Sequence, residues 1–320
     1  MPMPAERRPA FQAQFHRRWN HLSDPHVRTL AWLLDAPDLL DPAAPEWHGR
    51  IASLPRPDAA TAEWLRALDA NPAALHATLD IQPLTRLGRY AENLMAFYLH
   101  HQGILVAHGL QVRAGQGNTI GEFDFLVRQG TDLVHWEFAT KLYLLEASGD
   151  GRHADYFVGP NLADTLGAKV RKIMDRQLSL AVHPAAQACI PEPVAYAQAL
   201  VKGWLFYHGT TPASANPDGV TPAHCRGFWR ALQDFATVCN GKYAILPRLG
   251  WLAPAKLKPE DAMEYEEFQH AAALHFSTNS TPVLVALLEE KDGWLLERDR
   301  GFVVPDDWRG KAAASVARQR

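Results

Sequence analysis

The sequence predicts an α/β protein with a central mixed sheet flanked by helices, an N-terminal helical segment and a C-terminal α+β extension. Three observations lead to this prediction. Residues 1 to about 80 show helical apolar periodicity punctuated by prolines, residues 104–146 have the patterns of strands between two amphipathic helices, and the C-terminal third mixes short strands with helices. The 320 residues are 47% hydrophobic and 21% charged, so the chain can bury a large core.

The first strong helix signal is the stretch DPHVRTLAWLLDAPDLL, residues 24–40. Asp24 is a suitable N-cap, and Pro25 fits the first helical position because the backbone N–H there has no helical partner. The apolar residues that follow recur at helical spacing and form one stripe: Val27, Leu30, Ala31 and Leu34. We therefore expect a helix that begins at Pro25.

Two further amphipathic helices and two strands surround a predicted hairpin. Residues 88–103, GRYAENLMAFYLHHQG, predict a helix that ends at Gly103. Its apolar face is formed by Leu87, Ala91, Leu94 and Tyr98. The stretch LADTLGAKVRKIMDRQLSLA, residues 162–181, predicts a second long helix. ILVAHGLQVRA (104–114) and AYAQALVKGWLFYH (195–208) predict strands, so the central sheet should include residues 104–112, 119–128 and 133–146.

The C-terminal third predicts two helices and two strands. GFWRALQDFATVC (227–239) and AMEYEEFQHAAALHF (262–276) have helical periodicity, whereas PVLVALLEE (282–290) and GWLLERD (293–299) have strand character. The interval 209–223 is predicted to be a linker or long loop, because glycine, proline, serine and threonine dominate it.

The patterns predict four parts of the chain. Residues 1–80 form the N-terminal helical segment and residues 81–208 the α/β core. Residues 209–310 form an extension packed on that core, and residues 311–320 a loose tail.

Composition restricts the compartment and the partners. The net charge of −3 and the pI near 6.6 give no global basic field, so any nucleic-acid contact has to come from a local patch. Three cysteines at irregular spacing indicate a reducing compartment rather than a disulfide framework. The N-terminus has no apolar signal region, and the longest apolar run, PVLVALL, is too short to cross a bilayer. We expect a cytoplasmic protein with no membrane partner.

Acidic residues and a lysine occupy the most strand-like segment, GEFDFLVRQGTDLVHWEFATKLYLL, residues 121–145. Alternation along the first strand predicts one face with Glu122, Asp124 and Leu126 and another with Phe123, Phe125 and Val127. Along the second strand it predicts one face with His135, Glu137, Ala139, Lys141 and Tyr143. Charged groups therefore share faces in a segment whose other side chains are apolar or aromatic.

The register of this hairpin brings two acids together. If the turn is the four residues 129–132, Arg128 pairs with Leu133 and Asp124 lies across from Glu137. Directly opposed side chains have Cβ atoms about 4.5–5.5 Å apart, so two carboxylates there repel unless one is protonated or a cation lies between them. Carboxylate oxygens suit magnesium or manganese. We therefore predict that Asp124 and Glu137 form part of a metal site.

A second interpretation gives these acids no chemistry. They would be solvated on the open face of a two-stranded ribbon, with Lys141 neutralising Glu137, although the surrounding aromatic residues favour a covered sheet. The preceding helix adds Glu92, which lies beside the apolar stripe in the row Gly88–Glu92–Met95–Leu99. A carboxylate in this position is either directed at a partner or exposed at the edge of the helix.

The stretches GRYAENLMAFYLHHQG and GEFDFLVRQGTDLVHWEFATK resemble the core of the PD-(D/E)XK, or restriction-endonuclease-like, nuclease superfamily. The resemblance covers about residues 86–145 and is carried by the order helix acid, strand acid, then strand acid with lysine. Over its whole length the chain also resembles a bacterial domain-of-unknown-function family, number 1853. DPHVRTLAWLL, YFVGPNLADTL, RLGWLAP and RGFVVPDDW carry that second likeness.

The nuclease resemblance implies a PD-(D/E)XK core and roles for individual residues. Asp124 would be the main ligand of Mg²⁺ (or Mn²⁺), Glu137 the second strand acid and Glu92 a third ligand or outer-shell acid. The family pattern places its lysine two residues after the strand acid, where this chain has Ala139. Lys141 follows two residues later on the same face and would orient water or stabilise developing charge.

The second helix supplies further candidates. The row Leu166–Val170–Ile173–Gln177 should face the sheet, and by the resemblance Gln177 would approach the scissile phosphate; a core amide bonded to backbone is the alternative. A basic stripe on this helix would contact a phosphate backbone or else form a solvated face, and consists of Lys169, Lys172 and Arg176.

Two functions follow from these residues. The leading one is a metal-dependent nuclease, or a nuclease-like nucleic-acid processing protein, that hydrolyses phosphodiester bonds. The alternative is a non-catalytic descendant of the same fold that binds a nucleic acid or a protein partner. The sequence leaves the choice between DNA and RNA open.

Overall fold

The computed structural model describes residues 11–79, 81–82, 86–114, 118–146, 151–209, 216–235 and 241–319. One ten-stranded mixed sheet runs through these residues. Its strands are β1 Leu105–Ala114, β2 Asn118–Gln129, β3 Asp132–Leu145, β4 Phe157–Val158, β5 Tyr196–His208, β6 Cys225–Ala231, β7 Lys242–Ile245, β8 Lys256–Leu257, β9 Val283–Lys291 and β10 Trp294–Val304.

Helices cover the sheet. Within the described ranges they are α1 Phe11–Trp19, α2 Pro25–Asp35, α3 Ala59–Ala70, α4 Ala73–Leu79, α5 Leu87–His101, α6 Leu166–Lys172, α7 Pro184–Gln187, α8 Tyr265–Thr278 and α9 Trp308–Gln319. The α/β class and the large mixed sheet flanked by helices are therefore confirmed. No helix in the described part of the chain has both the length and the apolar character needed to cross a membrane.

The strand order is β1-β2-β3-β5-β6-β10-β9-β7. The first three strands pair antiparallel as a meander, and β3, β5, β6 and β10 then pair in parallel. The remaining pairs, β10 with β9 and β9 with β7, are antiparallel. Because β5 pairs with β3 on one side and β6 on the other, the predicted core and the C-terminal extension share one continuous sheet.

Local sequence determines where the helices before the site begin and end. Asp24 caps α2 by accepting the backbone N–H groups of His26 and Val27, with Pro25 at the first turn, as predicted. Gly103 follows α5 with a φ of +67°, a conformation that favours glycine. Of the predicted apolar face of α5, Leu87, Ala91 and Leu94 are buried and Tyr98 is half-buried. Tyr90, Met95 and Leu99 are also buried.

The predicted register of the β2–β3 hairpin is confirmed, but its turn is shorter. Arg128 pairs with Leu133, and one further pair, Gln129 with Asp132, closes the hairpin on two residues. Gly130 has a φ of +59° in this turn, which suits the tight two-residue connection. The additional pair leaves the relation between Asp124 and Glu137 unchanged.

The predicted alternation along β2 is wrong around Asp124. Phe125 packs in the main core with Val127, whereas Phe123 packs with Leu126 in a separate cluster. The paired ladder between β2 and β3 extends only to Phe125 and Trp136, and beyond it the Asp124 carboxylate accepts the N–H of Phe138 at 2.9 Å. The Asp124 carboxylate thus takes the place of a backbone carbonyl as the acceptor for the Phe138 N–H, at the point where the alternation of faces along β2 is interrupted.

Three further predicted elements differ from the structure. The helix predicted at 227–239 is wrong in its first part, because residues 225–231 form β6, and its residues 236–239 lie outside the described ranges. The long helix predicted at 162–181 is α6 followed by a π-helical turn at Ile173–Gln177. The predicted tail is instead the larger part of α9, where Ala312, Ser315 and Val316 are buried.

The predicted loop 209–223 is described from residue 216. Its Val220 is buried and forms an isolated bridge with Leu40, so this part of the loop packs on the N-terminal segment. Residues 210–215 lie outside the described ranges.

Candidate functional site

A cleft of about 780 Å³ opens where α5, β2, β3 and α6 meet. Five predicted site residues and one residue of the predicted basic stripe line it: Glu92, Asp124, Glu137, Lys141, Gln177 and Lys169. They come from elements separated by as many as 85 positions in the chain, so the fold brings the predicted catalytic set together.

The two strand acids lie at the base of the cleft. Asp124 lies one residue beyond Phe125, where the paired ladder between β2 and β3 ends. The side chain of Glu137 is only 2% exposed. Burial, opposed by the hydrogen bond from the Phe138 N–H and increased by the charge of Glu92, raises the pKa of Asp124 to about 6. Burial, followed by repulsion from Asp124, raises the pKa of Glu137 well above its usual range. Both shifts favour the protonated form, so the base of the cleft disfavours two carboxylate charges side by side.

A second acidic group adjoins Asp124. One carboxylate oxygen from each of Glu92, Glu122 and Asp124 lies within 4.8 Å of the others. This group shares two residues with the predicted ligand set and contains Glu122 in place of Glu137. Oxygen donors at this spacing match the preference of a hard divalent cation.

Two side chains contact the helix acid, and one of them, Arg89, partly compensates its charge. His108 on β1 lies with its Nε2 atom 2.9 Å from Glu92 Oε1, and Arg89 donates to the same oxygen at 3.0 Å. Arg89 also lies 3.6 Å from Glu122. The helix acid is thus directed at the cleft, as the sequence predicted, and it is held there by a basic residue from each of two elements.

The helix after the hairpin holds Glu137. The Gln177 side-chain amide donates to Glu137 Oε1, and Lys169 Nζ donates to Gln177 Oε1 at 3.0 Å. Lys169 Nζ also lies 3.9 Å from the Glu137 carboxylate. Gln177 belongs to the π-helical turn that follows α6, and such turns occur often at functional sites. Burial lowers the pKa of Lys169, and Glu137 opposes that shift.

Lys141 lines the cleft but has a different partner. Its Nζ donates to Asp164 Oδ2 at 3.1 Å, and the Tyr143 hydroxyl donates to the same oxygen at 3.0 Å. The alternative in which Lys141 neutralises Glu137 is therefore wrong, because its ion pair is with Asp164. The cation beside Glu137 is Lys169.

The predicted basic stripe divides between two surfaces. Lys169 enters the cleft, whereas Lys172 and Arg176 are exposed and line a neighbouring depression of about 320 Å³ with Glu122 and Gln177. The stripe therefore extends over two adjacent depressions, both of which Gln177 lines.

Sequence reasoning did not assign Glu122, His108, Arg89 or Asp164 to the site. Glu122 carried a usable signal, since it is two residues from Asp124 on the same strand. Arg89 also carried a local signal, since it lies three residues before Glu92 on α5. His108 reaches Glu92 through the register of β1, and Asp164 reaches Lys141 from the loop before α6, so no local pattern encodes these two contacts.

Comparison with known proteins places the chain in a family. No curated protein and no solved structure gives a significant match. The family described as "Domain of unknown function (DUF1853)" matches residues 28–304, from within α2 to the end of β10. This range contains all of the cleft residues named above. The chain therefore belongs to the DUF1853 family, the domain-of-unknown-function family that its sequence resembles.

Proposed function

We propose that this protein is a metal-dependent nuclease of the PD-(D/E)XK type. The observation that carries the proposal is the convergence of three carboxylates, Glu92, Asp124 and Glu137, in one cleft that also contains Lys169. A carboxylate oxygen of Glu122 lies within 4.8 Å of those of Glu92 and Asp124. Buried carboxylates with raised pKa values destabilise a fold unless a proton or cation compensates them. Such an arrangement is typical of a functional site.

The order of elements supports the same proposal. A helix with an acid, an antiparallel three-stranded meander with two acids, a second helix and a parallel strand follow one another as α5, β1–β3, α6 and β5. This is the order of helix acid, strand acid and strand acid on which the resemblance rests.

The donor set fits Mg²⁺ or Mn²⁺. Glu92, Glu122 and Asp124 offer three carboxylate oxygens within 4.8 Å of one another, and hard oxygen donors are the ligands these ions prefer. These three residues would hold the ion, which when bound lowers the pKa of water and polarises a phosphoryl oxygen.

The other residues act on protons and phosphate charge. Glu137, with its raised pKa and its hydrogen bond from Gln177, is suited to hold or accept a proton beside Asp124. Lys169 lies next to this pair and would stabilise negative charge that develops there. Lys141 is held by Asp164 and would bind substrate phosphate at the wall of the cleft.

Purified protein should cleave a nucleic acid with Mg²⁺ or Mn²⁺ and lose cleavage with EDTA. Asp124→Asn and Glu137→Gln should each abolish cleavage while the protein stays folded, because they retain shape and remove charge. Asp132→Asn, an exposed acid at the hairpin turn, is the matched control and should retain activity. Absence of cleavage across single- and double-stranded DNA and RNA would contradict the proposal.

A non-catalytic binding protein is the second candidate. It is favoured by Ala139 at the usual lysine position and by the pairing of Lys141 with Asp164. In that case Mg²⁺ should leave the melting temperature of the wild type unchanged. If a specific metal site exists, Mg²⁺ should raise the melting temperature of the wild type, and Asp124→Asn should abolish this increase.

A further inference from the structure

The C-terminal half of the chain contributes an arginine to the cleft. Arg248 and Trp251 lie in the short 3₁₀ turn Arg248–Trp251, outside the predicted 81–208 core, and both line the cleft that contains the acids. Arg248 is exposed, and its guanidinium packs over the Trp251 ring at 5.2 Å from the ring centroid. The cleft is therefore completed by a segment that the nuclease-like core does not include.

Buried hydrogen bonds fix the turn that carries Arg248. Arg300, which is fully buried, donates from Nη2 to the carbonyl of Ala253 at 2.7 Å and from Nη1 to that of Leu252 at 3.3 Å. The Trp204 indole also donates to the Leu252 carbonyl, at 2.8 Å. Contacts from two central strands thus hold the backbone next to Trp251 in place. Because the backbone is already fixed, binding of a ligand by Arg248 would have to order its side chain but not the turn.

Arg248 differs from most cations of the cleft in having no acidic partner. Arg89 pairs with Glu92, Lys141 with Asp164 and Lys169 with Glu137. Within the described ranges, the side chain of Arg248 stacks on Trp251 and makes no ion pair or hydrogen bond. Its guanidinium is thus available to an external anion.

The charges of the cleft require a cation at this place. Carboxylates at its base repel the phosphates of a nucleic acid, so a strand that reaches them needs compensating positive charge along its path. A guanidinium can bind phosphate oxygens through two parallel N–H donors.

We propose that Arg248 is a phosphate-binding residue that positions a nucleic-acid strand in the cleft. This inference rests on the proposed function and deepens it, because it assigns substrate binding to the C-terminal extension. Arg248 touches the substrate backbone, and the acids perform the chemistry.

The test is salt-dependent binding of labelled DNA and RNA oligonucleotides in EDTA, where cleavage is absent. Arg248→Ala should lower the slope of log affinity against log salt by about one, as expected when one phosphate contact is lost. Arg248→Lys should restore most of the slope because it retains the charge. Arg66→Ala, an exposed arginine of α3 remote from the cleft lining, is the matched control and should match wild type.

The outcomes separate this inference from the proposed function. An unchanged slope in Arg248→Ala, or no nucleic-acid binding by wild type, overturns the inference. Cleavage by wild type together with an unchanged slope overturns the inference alone. A reduced slope without cleavage by wild type supports Arg248 as a binding residue and contradicts the nuclease proposal.

Discussion

Asp124 combines a structural and a chemical demand in one carboxylate. It accepts the Phe138 N–H where the β2–β3 ladder ends, and it lies between Glu137 on one side and Glu92 and Glu122 on the other. Neighbouring carboxylates raise the cost of its charge, whereas the backbone donor lowers it. The residue is therefore a point of repulsion that a cation would relieve.

Asp124→Asn should stabilise the metal-free protein by about 1–2 kcal/mol, because the amide keeps an oxygen for the Phe138 N–H and removes a charge from the acidic group. Urea unfolding in EDTA measures the change. Asp132→Asn at the exposed turn should leave stability within about 0.5 kcal/mol of wild type. A clear loss of stability in Asp124→Asn would mean that the charge strengthens the fold.

Two lysines of the cleft should differ in their effect on turnover. Lys169→Ala should reduce kcat by roughly 100-fold, since its Nζ lies beside Glu137 and Gln177. Lys141→Ala should chiefly raise KM, because its Nζ is held by Asp164 at the wall. Steady-state kinetics on a nucleic-acid substrate check both variants. If Lys141→Ala instead lowers kcat more than Lys169→Ala does, Lys141 has the role that the resemblance implied, which is to orient water or stabilise developing charge.

At the level of elements, the buried pair Glu297–Arg300 fixes the loop that reaches the cleft. Both side chains are fully buried, with 2.6 Å between Arg300 Nε and Glu297 Oε1, and Glu297 Oε2 accepts the Ala255 N–H at 2.9 Å. Removal of one partner from such a pair leaves an uncompensated charge in the core. The pair thus joins β10 to the segment around residues 251–255.

Glu297→Gln should therefore destabilise the protein by about 3–5 kcal/mol in urea unfolding. The matched control is the exposed pair between Lys311 of α9 and Asp307, the residue before this helix, where Asp307→Asn should cost less than about 1 kcal/mol. If both substitutions lower the free energy of unfolding by the same small amount, the backbone carbonyl groups around Arg300 are sufficient to compensate its charge without Glu297.

The elements that the sequence predicted correctly are those governed by local chemistry. Asp24 and Pro25 set the start of α2, and the hairpin register followed from the turn around Gly130. By contrast, residues 227–239 have helical spacing of apolar groups, yet β6 pairs between two distant strands and buries Trp229 on one side. Long-range pairing overrides local periodicity in such a strand, and it equally determines the contacts of His108 and Arg248 with the site.

For the whole molecule, three buried histidines should limit stability in acid. Burial lowers the pKa of His16, His135 and His224 from 6.5 to about 4. Between these values the unfolded chain binds more protons than the folded one, so stability is present above pH 6.5 and falls as the pH drops toward 4. Unfolding free energies at pH 7, 5.5 and 4.5 should decrease in that order.

A variant of one histidine checks the origin of this slope. His224→Gln should flatten the pH dependence, although it costs stability at pH 7 because the ring contacts Tyr207 and Thr221 at 2.8 and 2.7 Å. His270→Gln, on an exposed surface of α8, should retain the slope of wild type. An unchanged slope in His224→Gln would assign the acid sensitivity to other groups.

The central position of β5 has a practical consequence for dividing the protein. The residues of β5 that pair with β6 are apolar on both faces of the sheet. Trp204 and Phe206 lie on one face, and Leu205 and Tyr207 lie on the other. A fragment of residues 81–208 would carry this strand as a free edge, without the charges that protect natural edges. Such a fragment should aggregate during expression even if the cleft residues it contains are correctly arranged. Its insolubility would reflect an unpaired strand rather than a defective site, so tests of the site require the sheet to continue through β6 and β10.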